Sequence, residues 1–376
     1  MKKAVVAGHV CVDIFPKFDH GINMVPGHLY EIGKSTFAIG GAVSNTGMTM
    51  QRLGVDVNLM GTVGADAYGE KILGIMKSIA PNQKALPRVD ASVDTSYTLV
   101  FDIPGQDRYF FHCPGANATF GTKDIDWQAV ADADLFHFGY PCFMASVYAN
   151  DAAELKAMYR KAKELNVTTS LDPGMPDPHG PAGKVAWKKV LQDVLPTIDV
   201  FMPSADELLY MVSPDKFGEG DNLTAEELTE LGDLLLGMGS AVVAIKLGGR
   251  GMYIRSAGAK RLAAMGKGTP ADIAAWANRE YWFPVFKPTA FKGATGAGDA
   301  SIGGFLTSLL YGLPLVQAGR MAAAVGACNV EAPDSLSGVR TWDDTLARVN
   351  ANWETTPFTV TAPGWKQLEN NIWQKA

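Results

Sequence analysis

Short apolar runs alternate with segments of helical periodicity over most of the 376-residue chain. The runs have the length and composition of buried strands, and they read KAVVAG, VNLMGTVG, ADLFHFG, VTTSLD, IDVFMP and AVVAIKLG. Helical patterns lie between most of them, for example over residues 150–165 and 224–237. This alternation predicts an α/β fold with a mainly parallel sheet covered by helices.

Two stretches depart from this alternation. Residues 15–37 and 95–113 have the composition of extended chain, and YTLVFDIPGQDRYFF indicates a hairpin with its turn at 104–107. We therefore expect one domain over residues 1–376 with a small β-sheet lid. Residues 257–290 read as an extra excursion, in which WANREYWFP indicates a surface cluster or, alternatively, a binding edge. The polar tail after residue 350 is expected on the outside.

Composition narrows the class of partner. A formal charge of −6 without long runs of like charge argues against nucleic acid and membrane surfaces, which leaves small molecules. The four cysteines, at positions 11, 113, 142 and 328, have no CxxC spacing, and the apolar start is too short for a signal peptide. These features favour a cytoplasmic protein. The six histidines show no metal-ligand spacing, so no zinc or iron site is predicted.

The stretch KGATGAGDAS, which begins at residue 292, indicates an anion site at a helix start. An apolar stripe at helical spacing follows it, formed by Ile302, Phe305, Leu306, Leu309 and Leu310. Gly296, Ala297 and Gly298 therefore sit at a helix N-terminus, where free N–H groups and the helix dipole can hold a phosphoryl group. Asp299 in the first turn is either a simple cap or a catalytic carboxylate.

Two other phosphate loops are excluded. GHLYEIGKS has five residues between Gly27 and Gly33, whereas a Walker loop has four. A dinucleotide fingerprint fails because Ser301 stands where a third glycine or alanine belongs. An acid beside an anion site makes chemical sense if phosphate is transferred, since a carboxylate can accept the proton of an attacking hydroxyl.

With these residues in view, the sequence resembles the PfkB or ribokinase-like carbohydrate kinases. Their late signature, Asp-Thr-x-Gly-Ala-Gly-Asp, matches at residues 296–299, and FAIGGAVSNTGMTMQRLG resembles their other signature of paired glycines, an Asn and a terminal Leu-Gly. Further matches follow in family order: Gly8 and Asp13, GTVGADAYG, PGAN at 114–117 and KLGGRG at 246–251. The resemblance covers about residues 1–340 and implies a three-layer α/β sandwich with a small β-sheet lid.

The resemblance also implies roles for single residues. Asp299 would be the general base and 296–298 the anion hole. A substrate clamp would comprise Asp13, Gly40, Gly41, Asn45 and Asn117. Nucleotide contacts would come from Lys246, Gly248, Gly251 and Thr295, and Glu207 would organise Mg²⁺ through water.

Each of these positions also has a purely structural interpretation. Asp13 and the glycine pairs are compatible with turns, Lys246 with a snorkelling side chain, and Glu207 with a capping box from Ser204. The chain also departs from the family pattern. Ser204 replaces an Asn, Gly293 and Ala294 replace Asp-Thr, and LDPGMP lacks the family's Arg. Monovalent-cation dependence and the identity of the substrate therefore stay open.

The sequence thus predicts an ATP- and Mg²⁺-dependent kinase of a small sugar, acting on a primary hydroxyl, with the lid closing over the acceptor. A nucleoside kinase is the alternative, with Phe15, Phe37 or Phe110 stacking on a base. A sugar-binding regulator without turnover is a further alternative. The exposed lid strands favour a homodimer joined through the lid.

Overall fold

The computed structural model describes residues 2–81, 83, 85–106 and 108–376. Strands occur along the whole described chain. In chain order they are β1 (Lys3–Gly8), β2 (Cys11–Phe15), β3 (Thr36–Gly40), β4 (Asp56–Met60), β5 (Thr62–Gly64), β6 (Arg88–Asp90), β7 (Tyr97–Phe101), β8 (Tyr109–Cys113), β9 (Leu135–Gly139), β10 (Thr168–Asp172), β11 (Val200–Phe201), β12 (Val242–Lys246), β13 (Met252–Ser256), β14 (Glu280–Phe283), β15 (Trp365–Gln367) and β16 (Trp373–Lys375).

Ten of these strands form a central sheet in the order β15-β16-β14-β13-β12-β11-β10-β9-β1-β4. Neighbours from β4 to β12 are parallel, whereas β13 and the strands beyond it pair antiparallel. Strands β1, β9, β10 and β12 are buried along almost their whole length, which is typical of parallel strands covered on both faces. The predicted α/β fold with a mainly parallel sheet is confirmed.

Helices cover both faces of this sheet. They are α1 (Ala42–Arg52), α2 (Ala67–Ile79), α3 (Trp127–Ala131), α4 (Ala145–Glu164), α5 (Trp187–Val194), α6 (Ala205–Val212), α7 (Ala225–Gly237), α8 (Ala259–Ala263), α9 (Ile273–Trp276), α10 (Ala297–Leu310), α11 (Leu315–Asn329) and α12 (Trp342–Asn350). One apolar core includes Leu155 of α4 and Leu228 of α7, and the other includes Met48 of α1 and Phe305 of α10. In the described part of the chain, no helix has the length and apolar character needed to cross a membrane.

The carboxyl ends of the parallel strands meet at one edge of the sheet. Gly8 ends β1 and pairs with Gly139 at the end of β9, which in turn pairs with Asp172 at the end of β10. Lys246 ends β12, and Ser204 beyond β11 bridges to it. Ligands of open α/β sheets bind beyond these ends. The strand register therefore brings residues from distant parts of the sequence to one place.

A separate four-stranded sheet, the lid sheet, has the order β3-β2-β7-β8. Strands β7 and β8 are antiparallel, as the hairpin pattern indicates, although Asp107 of the predicted turn lies outside the described residues. Strand β2 joins β3 on one side and β7 on the other. The lid sheet thus begins at Cys11, before the boundary expected at residue 15, because the strand that carries Asp13 already belongs to it.

Residues 257–290 do not form an excursion from the domain, and the tail lies on the outside as expected, where it adds β15 and β16 at the edge of the sheet. Strand β14 pairs with β13, and β16 and β15 extend the same sheet. Trp276 is fully buried against Phe305, and its indole N–H donates to the carbonyl of Leu313 at 2.9 Å. The aromatic cluster is therefore core rather than surface. The pattern was ambiguous because α8 and α9, the helices before β14, have only five and four residues and are too short to show a period.

Candidate active site

A tight turn leads into α10 and places its first residues at the carboxyl edge of the sheet. Gly296 caps the helix with φ of 74°, in the left-handed region that favours glycine. A Cβ at this position would also lie 2.5 Å from the Cβ of Ser335. Ala297 donates its N–H to the carbonyl of Ala294 at 3.1 Å. This narrows the predicted anion hole, because one of its three amides is already used inside the turn.

Asp299 lies in the first turn of α10 and is 4% exposed. Its Oδ2 accepts hydrogen bonds from the Asn45 side-chain amide (3.0 Å) and the Tyr140 hydroxyl (2.7 Å). Its Oδ1 accepts a hydrogen bond from the hydroxyl of Thr46 (3.1 Å). All three donors belong to side chains of other elements. The carboxylate is therefore held by tertiary contacts and does more than cap its own helix.

Two cavities of about 320 Å³ each meet at this turn. The lid cavity is lined by His9, Cys11, Asp13, Phe15, Gly41, Asn45, Thr98, Val100, Phe110, His112, Tyr140, Phe143, Thr295, Gly296 and Asp299. The helix cavity is lined by Lys246, Gly248, Gly249, Gly251, Met252, Val285, Phe286, Pro288, Phe291, Ala294, Ala297, Gly298, Ser301, Ala323, Gly326, Ala327 and Val330. Each cavity contacts different residues of the turn, so the turn forms the wall between them.

The predicted clamp residues Asp13, Gly41 and Asn45 all line the lid cavity. Gly40 lies directly against Asp13, since a Cβ there would be 2.4 Å from Oδ2 of that carboxylate. Gly41 has φ of 88°, and a Cβ there would be 2.4 Å from the carbonyl of His9. Buried Oδ1 of Asn45 has no hydrogen-bond partner among the described residues. Such an unsatisfied buried acceptor needs an explanation, and a ligand of this cavity is one candidate partner.

Asn117, the remaining predicted clamp residue, has a different position. It is fully buried, and its side-chain oxygen accepts from the N–H of Val10 at 3.1 Å while its side-chain nitrogen donates to the carbonyl of Val10 at 2.9 Å. Val10 lies between β1 and β2, so Asn117 fixes the connection that carries the cavity residues His9 and Cys11. We interpret its role as positioning rather than ligand contact.

Asp13 carries an unfavourable buried charge. Burial raises the pKa of this carboxyl group from 3.8 to about 6, and a hydrogen bond from the Cys11 thiol at 3.3 Å offsets only part of the effect. The nearby charge of Asp299 raises the pKa further. A ligand that donates hydroxyl hydrogen bonds to Asp13 would favour the ionised form.

A cluster of rings forms another wall of the lid cavity, and the sequence had given no reason to single it out. His9 and His112 have their Nε2 atoms 3.3 Å apart, and both rings pack on Phe143, as does the ring of Tyr140. Burial lowers the pKa of His9 well below its usual value and that of His112 to about 4. Both imidazoles are therefore neutral near pH 7 and can donate or accept hydrogen bonds.

Lys246 lies in a cluster of charges beside the helix cavity. Its Nζ is 3.0 Å from Oδ1 of Asp172 and 4.0 Å from Oε2 of Glu207. Burial lowers the pKa of Lys246, but the neighbouring carboxylates outweigh that effect and leave the pKa raised. Burial likewise raises the pKa of Asp172, against the opposing effect of Lys246. The lysine is therefore a charged group close to Gly298, rather than a snorkelling surface side chain.

The capping box predicted at Ser204 is present, and it does not exclude a role in the site. The N–H of Ser204 donates to Oε2 of Glu207 at 2.6 Å, and the N–H of Glu207 donates to Oγ of Ser204 at 3.4 Å. The cap holds the Glu207 carboxylate near Lys246. The position of Glu207 is therefore compatible both with the capping box and with the predicted role in organising Mg²⁺.

The predicted nucleotide residues divide between the two cavities. Gly248 and Gly251 form the turn between β12 and β13 and line the helix cavity, and a Cβ on Gly251 would lie 1.9 Å from the carbonyl of Phe283. Thr295 instead lines the lid cavity, and its hydroxyl accepts a hydrogen bond at 3.0 Å from Arg108, between β7 and β8 of the lid sheet. Thr295, which was predicted to contact the nucleotide, thus contacts the lid hairpin in this structure.

Two cavities that share one helix start, with a carboxylate at their junction, have the geometry that transfer of a phosphoryl group between two ligands requires. The chain belongs to the pfkB family of carbohydrate kinases, whose family model matches residues 1–342. It is therefore assigned to the kinases by its family.

Relatives agree with this assignment, and a solved structure has a similar fold. The chain is 26% identical over 294 residues to an uncharacterized sugar kinase of Archaeoglobus fulgidus, covering 78% of this chain and 98% of the relative. It is 24% identical over 319 residues to a 2-dehydro-3-deoxygluconokinase of Bacillus subtilis, covering 84% and 87%. Its fold is similar to that of an Arabidopsis thaliana ribokinase solved with ribose and ATP, with a TM-score of 0.70 and 17% identity over 92% of this chain and 98% of that chain.

The buried carboxyl group of Asp13 yields a prediction about pH. Because its pKa is about 6 in the folded protein and 3.8 is its ordinary value, the folded state binds this proton more tightly. The resulting stabilisation is complete below about pH 4 and is lost as the pH rises through 6. Above pH 6 we expect Asp13→Asn to be more stable than wild type, by up to about 3 kcal/mol in the free energy of unfolding, and therefore to melt at a higher temperature. The difference between the two proteins should shrink towards pH 4.

Thermal melts of both proteins between about pH 4 and pH 8 measure this difference. Asp215→Asn, at an exposed aspartate, is the matched control for the loss of one carboxylate. A difference for Asp13→Asn that stays constant over the range would contradict the prediction.

Proposed function

We propose that the protein transfers the γ-phosphoryl group of ATP to a hydroxyl of a small uncharged sugar, with Asp299 as the general base. The lid cavity would hold the acceptor and the helix cavity the nucleotide. The observation that carries this proposal is the position of Asp299, whose carboxylate lies where the two cavities meet at the start of α10. An acceptor hydroxyl and a terminal phosphate in the two cavities would approach each other there.

The chemistry balances with groups present in the chain. The acceptor oxygen forms a bond to phosphorus, the bond from phosphorus to the β–γ bridging oxygen breaks, and ADP leaves. Asp299 takes the proton of the acceptor hydroxyl. The amides at the start of α10 and the ammonium of Lys246 would stabilise negative charge on the transferred group.

Mg²⁺ fits the donor set beside Lys246. Magnesium in kinases is held by one or two carboxylates together with substrate phosphates. Glu207 and Asp172 supply two such carboxylates, and no group of three or more His, Cys, Asp and Glu that could hold a metal occurs among the described residues. When bound, the ion would neutralise charge on the phosphates. A monovalent cation is not part of the proposal, because Gly293 and Ala294 offer no side-chain oxygen.

An uncharged acceptor is supported by the charges of the lid cavity. The lining residues that carry charge are Asp13 and Asp299, both negative, while His9 and His112 are neutral near pH 7. Arg108, at the lid hairpin, donates to the neutral hydroxyl of Thr295 and is not among the residues that line the cavity. An acidic sugar of the kind named for the Bacillus subtilis relative would face two carboxylates in this cavity. A neutral polyol would instead donate hydrogen bonds to them.

A nucleoside is the second candidate acceptor, and the aromatic lining favours it. Phe15 and Phe110 line the lid cavity together with Phe143 and Tyr140, so a flat base would find rings to stack on. Phe37, the third residue considered for stacking, instead lies under the ammonium of Lys71 and is 42% exposed.

The proposal is tested by ADP release with matched acceptors: neutral hexoses and pentoses, the corresponding sugar acids, and nucleosides. We expect turnover with one or more neutral sugars. Turnover with nucleosides alone would favour the second candidate, and turnover with sugar acids alone would refute the uncharged acceptor. Absence of ADP release with every acceptor would refute the proposed reaction for the compounds tested.

The role of Asp299 is tested separately with Asp299→Asn, which keeps the size and the hydrogen-bonding oxygen but removes the base. Single-turnover transfer at saturating ATP should slow by about 10²–10⁴-fold, while ATP still binds. A rate within about tenfold of wild type would leave Asp299 as a structural residue only.

The role of Glu207 predicts a changed magnesium requirement. Glu207→Gln should raise the Mg²⁺ concentration for half-maximal rate, while the unfolding free energy falls by no more than about 1 kcal/mol, because the amide oxygen can still accept from Ser204. Glu227→Gln is a matched control, since Glu227 forms the same capping box with Thr224 at the start of α7. An equal magnesium response in both variants would mean that Glu207 acts as a cap only.

We further propose a homodimer joined through the lid sheet. Strands β3 and β8 are its edges, and Phe110 and Phe111 on β8 are 59% and 52% exposed. Exposed apolar edge strands favour pairing with another chain. A second copy of this chain can pair the free backbone groups of both edges in one symmetric interface.

Sedimentation at micromolar concentration should give a dimer for wild type and a shift towards monomer for Phe111→Glu. Phe217→Glu is the control, because Phe217 is also an exposed aromatic residue (43%) but lies outside the lid sheet. A monomeric wild type, or equal dissociation of both variants, would contradict the lid interface.

A further inference from the structure

The carboxylate proposed as the general base has one oxygen that is fully occupied. Oδ2 of Asp299 accepts from both the Tyr140 hydroxyl (2.7 Å) and the Asn45 amide (3.0 Å), while Oδ1 accepts from Thr46 alone (3.1 Å). A carboxylate has about four acceptor sites, two on each oxygen. An attacking hydroxyl must therefore displace a donor if it is to give its proton to Oδ2.

Of these donors, Tyr140 has the chemistry of the group that must arrive. It presents an O–H to the base from within the lid cavity, as an acceptor hydroxyl would. Asn45 and Thr46, in contrast, belong to the first turns of α1 and are fixed with that helix. Burial, together with the charges of Asp299 and Asp172, raises the pKa of Tyr140 well above its usual value, so the phenol keeps its proton.

The backbone places Tyr140 there at a cost. Its φ is 65°, in the left-handed region that bulky residues rarely adopt, immediately after Gly139 at the end of β9. The same conformation directs the ring into contact with His9 and Phe143 and the hydroxyl onto Asp299. Strained conformations of this kind occur where the position of a side chain matters for function.

Resting on the proposed function, we propose that Tyr140 is a positioning residue whose hydroxyl holds, on Asp299, the place of the acceptor hydroxyl until the acceptor binds. In the free enzyme this contact keeps water away from Oδ2 of Asp299. If water took that place beside bound ATP, its proton would pass to Asp299, its oxygen would bond to the γ-phosphorus, and ADP and inorganic phosphate would leave. Tyr140 thus favours transfer to the acceptor over hydrolysis of ATP.

Tyr140→Phe tests this, because it removes the hydroxyl and keeps the ring. We expect ATP hydrolysis without acceptor to rise roughly three- to tenfold, the range expected for one lost hydrogen bond, and the ratio of hydrolysis to transfer to rise with it. The double variant Tyr140→Phe/Asp299→Asn should lose the additional hydrolysis. Unchanged hydrolysis with a lower transfer rate would overturn the proposal, since Tyr140 would then only steady the base.

Tyr159→Phe is the matched control. Tyr159 is also a fully buried tyrosine, but its hydroxyl donates to the carbonyl of Ser170 at 2.8 Å. It should alter neither hydrolysis nor transfer. If Tyr140→Phe does not fold, Tyr140→Gly supplies a second variant that suits the left-handed backbone, and unchanged hydrolysis there would equally overturn the proposal. The hydrolysis assay needs no acceptor, so its outcome is distinguishable from a failure of the proposed sugar kinase reaction.

Discussion

The hydrogen bonds from Asn45 and Thr46 to Asp299 are the contact on which the candidate site depends. They join the first turns of α1 and α10. Asn45 and Asp299 are 254 positions apart in the sequence. Both helices begin at a glycine with positive φ, and their positive ends face the same carboxylate. One negative group therefore holds two helix starts together. In doing so, it is itself fixed at the boundary between the cavities.

The region around this contact contains more buried negative than positive charge. Asp172 and Asp299 are 1% and 4% exposed, Asp13 lies in the same region, and Lys246 is the cation that approaches Asp172 most closely in the contacts described above. Burying such charges costs stability unless they are paired or hydrogen-bonded. Evolution commonly accepts this cost at functional sites, where groups are arranged for a ligand rather than for the free protein. The hydroxyls of an acceptor and the cations that accompany a nucleotide would complete the missing interactions.

Much of this arrangement could be predicted from sequence, because it lies in local patterns. The turn at 296–299 precedes an apolar stripe, and the glycine pair before Asn45 precedes another helix, so both helix starts were visible. His9, Tyr140 and Asp172 had no such pattern. His9 and Tyr140 each follow a buried strand and Asp172 ends one, and only the order β10-β9-β1 in the sheet shows that these strand ends are neighbours. Thr295 and Asn117 were assigned to ligands from the family pattern, whereas the directions of their side chains depend on Arg108 and Val10, which no local pattern reveals.

Thr295 has a further consequence for how the parts of the molecule move together. Its side chain is bonded to Arg108 of the lid hairpin, and its carbonyl accepts from the side chain of Asn329 at the end of α11. Thr295, which precedes the capping residue Gly296, is thus hydrogen-bonded to the lid on one side and to α11 on the other. Raising the lid would break the hydrogen bond between Thr295 and Arg108 and keep the one between Thr295 and Asn329. A displacement of the lid hairpin would therefore act, through one threonine, on the backbone immediately before the start of α10.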